Sequence, residues 1–279
     1  MAINFVEESM IKLFAVDMDD TFLDKNDHMS KENIQAVRDL VDAGVKVIIN
    51  SGRTEVLMRE HIHDLGLEDF KHVAVNGALI LDVKGENELI SYFNKEDYDN
   101  FIKILRKENR GFFCFHKDGI MYENADEKLM NHIKRFHTLK MACEGDTLSL
   151  DKCCRVAVVR NNEEDVPYLR SLAPKGVYTT ARPFGSCVSY MPDGLNKANG
   201  LKVLMDEYGI TSKEVASIGD QEVDTYMFDI SKYAFAVKNS DEKTKQRANI
   251  VLPRTNNENA FAYAVYKYIL KDENKLKLV

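Results

Sequence analysis

No apolar run in this sequence approaches the ~20 residues needed to span a bilayer, which excludes a helical membrane-embedded protein. The first eight residues are acidic and lack a basic stretch followed by an apolar core, so they do not read as a signal peptide. Cysteine is scarce. Cys114, Cys143, Cys153, Cys154 and Cys187 make an odd count with no C-x-x-C pair. They read as small buried hydrophobes in a reducing cytoplasm, and none has an obvious base near it in sequence to make a catalytic thiol. Net positive charge is also missing. At -7, the chain is not built for broad binding to nucleic acid or to an anionic membrane. There is no internal repeat, no low-complexity tract and no linker rich in proline and glycine. What remains is an ordinary soluble globular composition, 44% hydrophobic. Its 279 residues are enough for one large domain or two ordinary ones.

The first third alternates regularly. Residues 11–16 read as a buried strand, 30–43 as a helix, 45–49 as a second strand, 54–65 as a second helix and 73–75 as a third strand. Ser30 can cap the first helix, and Glu32 lies in its first turn, where negative charge is favoured. Asn33 stands where a full capping box would have glutamate or glutamine. Gly44 and Gly66 end the two helices. This order predicts a parallel sheet with right-handed crossovers. The last third resumes it. Helices are expected at 197–208, 225–230, 241–248 and 258–270, and strands at 215–218, 234–237 and 250–252. The middle is less uniform. Strand candidates at 111–114, 154–159 and 188–191 are interleaved with helices at 95–108, 125–138 and 163–172, which suggests an α+β insertion with its own sheet.

Chemistry concentrates where the apolar strands stop. The first strand ends at Asp17-Met18-Asp19-Asp20-Thr21. Ser51-Gly52-Arg53 follows the second strand and opens a helix. Lys197 starts the helix after the insertion, and Gly219-Asp220 with Asp224 follows the next apolar strand. In an open parallel sheet, ligands gather at these carboxyl ends. Carboxylates at a strand tip are costly without positive charge. Two of them about 4 Å apart repel by about 4 kcal/mol at an effective dielectric of about 20. Asp17, Asp19 and Asp220 offer hard oxygen ligands suited to Mg²⁺. Ser51 adds a hydroxyl, Gly52 an amide at a helix start, and Lys197 a point positive charge. Each feature is commonplace alone. Together and in this order they form a phosphoryl-transfer site.

The same blocks carry a family resemblance over nearly the whole length. Asp17-Met18-Asp19-Asp20-Thr21-Phe22-Leu23 resembles the D-x-D-G-T-hydrophobic-Leu block of the haloacid dehalogenase superfamily, except at Asp20. Val47-Ile48-Ile49-Asn50-Ser51-Gly52-Arg53 resembles its strand ending in [ST]-G-R, and Asn76-Gly77-Ala78 its N-G-A. Leu195-Asn196-Lys197 resembles the lysine block. Ile218-Gly219-Asp220-Gln221-Glu222-Val223-Asp224 resembles G-D-x-x-N-D, except at Val223. Within the superfamily the chain is similar to the Cof-type, sugar-phosphatase-like branch.

The resemblance implies an α/β fold, a Rossmann-like parallel-sheet core (residues 1–82 and 191–279) with an inserted α+β cap domain of C2 type (83–190). It implies a Mg²⁺-dependent, cytoplasmic phosphatase of small phosphorylated metabolites. Asp17 would be nucleophile and metal ligand. Asp19 would be general acid/base, with its carbonyl also toward the metal. Asp220 would be the second side-chain ligand. Met18, Ser51, Gly52 and Lys197 would hold phosphate, supported by Asp224. A phosphotransferase or mutase, and a phosphometabolite sensor with little turnover, are the alternatives. Val223 replaces the family asparagine, removing an amide expected near phosphate, which favours slower turnover or weaker binding. Asn259 and Ala260 replace the Asp and Gly of an N-x-E-D-G turn. His116, Tyr122, Arg155 and Arg182 are polar or aromatic residues of the insertion that could select the leaving group.

Overall fold

The apolar run before Asp17 forms β1 (Leu13–Val16), buried along its whole length, as expected of a strand covered on both faces. This computed structural model describes residues 10–136, 142–181 and 186–279. After β1 come α1 (Lys31–Asp42), β2 (Lys46–Ile49), α2 (Glu55–Leu65), β3 (His72–Ala74), β4 (Leu79–Leu81) and β5 (Glu88–Leu89). Then follow α3 (Lys95–Lys107), β6 (Phe112–His116), β7 (Gly119–Glu123), α4 (Glu127–Phe136), β8 (Ala142–Glu144), β9 (Arg155–Val159), α5 (Asp165–Ser171), β10 (Val177–Thr180) and β11 (Cys187–Pro192). The chain closes with α6 (Lys197–Tyr208), β12 (Val215–Gly219), α7 (Thr225–Phe228), β13 (Tyr233–Ala236), α8 (Glu242–Arg247), β14 (Ile250–Val251), α9 (Ala260–Ala264) and α10 (Glu273–Leu276). No helix among the described residues is long and apolar enough to cross a membrane.

The chain divides into two compact units. The first comprises Met1–Ser51, Ile62–His72 and Lys197–Val279. It holds a five-stranded sheet in the order β14-β13-β12-β1-β2, parallel at every pairing. This is the parallel sheet expected from the alternation, in the Rossmann-like α/β core that the resemblance implied. Phe14 on β1 packs against Phe261 of α9 at 5.2 Å between ring centroids, and Phe22 meets the same ring at 5.0 Å. Those contacts seat the turn after β1 on the core. Ser30 caps α1 by accepting from the Asn33 N–H (3.1 Å). Asn33 does not complete a capping box. Its amide donates to Phe22 O (3.2 Å) and accepts from Ala262 N (3.1 Å), tying α1 to that turn and to α9.

The third strand departs from expectation. β3 joins β4 and β5 in a separate three-stranded sheet and leaves the parallel one. The reason lies in His72, which is fully buried. Its Nδ1 accepts the Ile49 N–H (3.1 Å), so an imidazole ring satisfies the edge amide of β2 that a neighbouring strand would have paired.

The second unit, Gly52–His61 with Val73–Asn196, carries a six-stranded sheet in the order β10-β11-β9-β6-β7-β8. Its pairings are antiparallel except for β7 with β8. Phe101, Ile102 and Leu105 of α3 pack on Phe112, Val156 and Tyr190 of the sheet. The helix expected at 125–138 is described as far as Phe136; its last two positions and Arg182 lie outside the described residues.

Candidate active site

Register brings the scattered motifs to one edge. Val16 pairs with Ile218 on one side and Ile49 on the other. Asp17, Gly219-Asp220 and Asn50-Ser51 therefore leave neighbouring strands at the same carboxyl end. Asp17 N donates to Ile218 O (3.2 Å), and Asn50 N donates to Val16 O (2.9 Å).

After Asp17 the chain makes one tight turn over Met18–Phe22, with Leu23 N returning to Met18 O (2.9 Å). Asp20 sits at φ 56°, a left-handed position that aspartate tolerates better than most residues. Its carbonyl accepts from Asn239 (2.7 Å). Met18 is buried. Asp19 is half-buried.

Asp17, Asp220 and Asp224 are all buried and each offers a carboxylate oxygen within 4.8 Å of the other two. Lys197, also buried, donates from Nζ to Asp17 Oδ1 and, at 2.6 Å, to Asp224 Oδ1. Asp224 Oδ2 accepts the Asp220 and Gln221 N–H groups, both at 3.0 Å. Asp224 thus has both oxygens engaged, anchoring the lysine and the Asp220 loop. Thr21 Oγ1 donates to Asp220 Oδ1 (3.1 Å).

Charge is out of balance here. Burial, and then the nearby Asp224 carboxylate, push Asp17 up to about 7 against the pull of Lys197. Burial, and then Asp17, push Asp220 up to about 8. Burial works against the charged form of Lys197, but Asp17 and Asp224 outweigh it and raise its pKa. One ammonium faces three buried carboxylates. A hard divalent cation such as Mg²⁺ fits this oxygen-rich, electron-pair-rich donor set.

Ser51, fully buried, lies just past β2, after Asn50. In the second unit, a Cβ on Gly52 would lie 2.8 Å from Asn76 Oδ1, so the glycine makes room for that amide. Val75, Asn76 and Gly77 all have positive φ, and Val75 N donates to Arg53 O (3.0 Å). The Asn76-Gly77-Ala78 block therefore buttresses the Gly52-Arg53 turn. Asn259 occupies φ 58°, so asparagine supplies the left-handed residue in its turn.

Two residues inside the motif blocks carried no assigned role there. Thr21 steadies Asp220, and the wholly buried Asn50 donates from Nδ2 to Lys197 O (2.9 Å). The only hint of Asn50 was a polar residue closing an apolar strand. Of the insertion residues, Arg155 donates to Ser189 Oγ (2.7 Å) and lies over the Phe115 ring, an engagement within the sheet. Tyr122 is half-buried on β7. His116, its pKa lowered by burial, lines a hollow with Thr54, Glu55, Val75 and Leu79.

Comparison with known proteins gives the chain a family and a fold. The family model described as haloacid dehalogenase-like hydrolase matches residues 14–265. A 5-amino-6-(5-phospho-D-ribitylamino)uracil phosphatase of Bacillus subtilis, YcsE, is 25% identical over 264 residues, covering 95% of this chain and 98% of the relative. A phosphoglycolate phosphatase of Archaeoglobus fulgidus is 24% identical over 88% of this chain and 92% of its own. Among solved structures, the Thermotoga maritima protein TM0651 shares the fold, with a TM-score of 0.81 at 20% identity, over 92% of this chain and 97% of that one.

Proposed function

Because the chain belongs to the haloacid dehalogenase-like hydrolases and is an enzyme with relatives named as phosphatases, we propose that it is a Mg²⁺-dependent phosphatase of small phosphate monoesters. Its substrate is a small phosphorylated metabolite, such as a sugar or cofactor phosphate, in the cytoplasm, with residues 83–190 as the cap. The observation that carries this reading is the buried group of Asp17, Asp220 and Asp224 around Lys197.

In this reading Asp17 attacks phosphorus and becomes an aspartyl phosphate. Asp19 protonates the leaving oxygen and then takes a proton from the water that hydrolyses the intermediate. Lys197 and Ser51, with the Met18 and Gly52 amides, hold the phosphoryl oxygens. Asp17, the Asp19 carbonyl and Asp220 would hold Mg²⁺, which when bound offsets the negative charge of carboxylates and phosphate. Asp224 and Thr21 keep Lys197 and Asp220 in place.

The test is phosphate release from p-nitrophenyl phosphate and a panel of metabolite phosphates, with Mg²⁺ and with EDTA. Release that EDTA abolishes and Mg²⁺ restores is expected; no metal-dependent release from any substrate would refute the reading. Val223, 42% exposed where the family has asparagine, favours one second reading, a phosphometabolite sensor with little turnover. Tight binding without catalysis, with turnover restored by Val223→Asn, would select it.

A further inference from the structure

Asn50 carries an amide that the roles above do not require. It is wholly buried, and its backbone N–H already completes the ladder to Val16. Its Nδ2 reaches across 147 positions of sequence to the main-chain oxygen of Lys197 (2.9 Å). Its Oδ1 is buried and has no hydrogen-bond partner among the described residues. A buried acceptor without a donor costs stability, and an apolar residue would avoid that cost. Stability alone therefore does not explain an amide at this position, whereas the bond to Lys197 does.

We propose that Asn50 is a positioning residue, which grips the first residue of α6 by its backbone and so fixes the point from which the Lys197 side chain reaches. The proposal rests on Lys197 being the cation that holds phosphate. A lysine stem has four rotatable carbons, and its ammonium here is held by Asp17 and Asp224. When phosphate draws the ammonium away from Asp17, the backbone grip keeps the lysine's origin in place. Asn50 also directly precedes Ser51, so one residue links the hydroxyl and the cation assigned to phosphate.

The experiment compares the full-length wild type with Asn50→Ala and Asn50→Asp. The second keeps the side-chain shape but replaces the N–H with an oxygen facing the Lys197 carbonyl. Three quantities are read: melting temperature, the rate of Lys197 acetylation by acetic anhydride followed by mass spectrometry, and the Mg²⁺-supported affinity for inorganic phosphate beside KM and kcat. In Asn50→Ala the melting temperature holds, and Lys197, buried in the wild type, labels several-fold faster. The exposed Lys202 on the same helix labels at its original rate. KM and the inhibition constant of phosphate rise about two- to tenfold, more than kcat falls, as the loss of one hydrogen bond implies. Asn50→Asp does not restore them. Unchanged Lys197 labelling in both variants overturns the proposal, as does a lowered melting temperature with phosphate affinity intact, or full rescue by aspartate. If the wild type neither binds nor hydrolyses phosphate, the phosphatase reading fails separately, and the labelling still decides whether Asn50 holds Lys197.

Discussion

Gly219→Ala is a single-methyl probe of the site's support. A Cβ at Gly219 would sit 2.6 Å from Asp224 Oδ2 and closer still to Asp224 Cβ and Cγ. Ordinary carbon contacts lie near 3.5–4.0 Å, so Asp224 must retreat by about 1 Å. It has nowhere to retreat without loss. Its two oxygens hold Lys197 at 2.6 Å and the Asp220 and Gln221 amides at 3.0 Å. Overpacking costs about 1–3 kcal/mol, and weakening the charged bond to Lys197 adds about 1.5–3 kcal/mol, partly overlapping. We expect a loss of about 2–4 kcal/mol in stability. A misplacement of about 1 Å in the group that holds Lys197 should also lower kcat/KM about 100-fold. Thermal unfolding followed by circular dichroism reads the first effect, and Mg²⁺-supported release of p-nitrophenol the second. An alanine variant with wild-type melting temperature and wild-type kcat/KM would refute the reasoning that Asp224 is wedged in place by the bare Gly219 backbone.

Asp17→Asn should abolish phosphate release while leaving far-ultraviolet circular dichroism unchanged; substantial residual turnover would remove Asp17 from the chemistry. Val223→Asn should raise kcat/KM about two- to tenfold by supplying one hydrogen bond, and steady-state kinetics showing no gain would mean that no amide is wanted there. Burial raises Asp17 to about 7 and Asp220 to about 8. Both folded values lie above the unfolded one, so without metal the stability these groups contribute is full below about pH 4 and lost as pH rises through 7 to 8. Calorimetric scans should therefore show Mg²⁺ raising the melting temperature more at about pH 8 than at about pH 5.5; an increment that is the same at both would contradict the assignment.

The parallel core was legible because its strands are mostly apolar runs, and the site because each polar station sits near where such a run stops. Local pattern could say less about groups joined over distance. The hydrogen bonds from Thr21 to Asp220 and from Asn50 to Lys197 span 199 and 147 positions. Asn33 reads as an imperfect capping residue, yet its side chain is spent on Phe22 and Ala262. The separation of β3 from the main sheet turned on one buried imidazole replacing a strand's backbone, which no periodicity encodes. In the insertion, β7, β8 and β10 escaped notice because they are mostly half-buried or exposed, with little apolar contrast. Asp20 and Asn259 were departures from the family pattern, and both occupy left-handed backbone that their side chains tolerate.

Whether Asp17 takes the phosphoryl group is open to one direct measurement. The protein is mixed with substrate and Mg²⁺, quenched in acid within a turnover and reduced with borohydride, which converts an aspartyl phosphate to homoserine. Peptide mass spectrometry should then find homoserine at position 17 and aspartate at 19, 20 and 220. Reduction at another aspartate, or none at any during active turnover, would contradict the account.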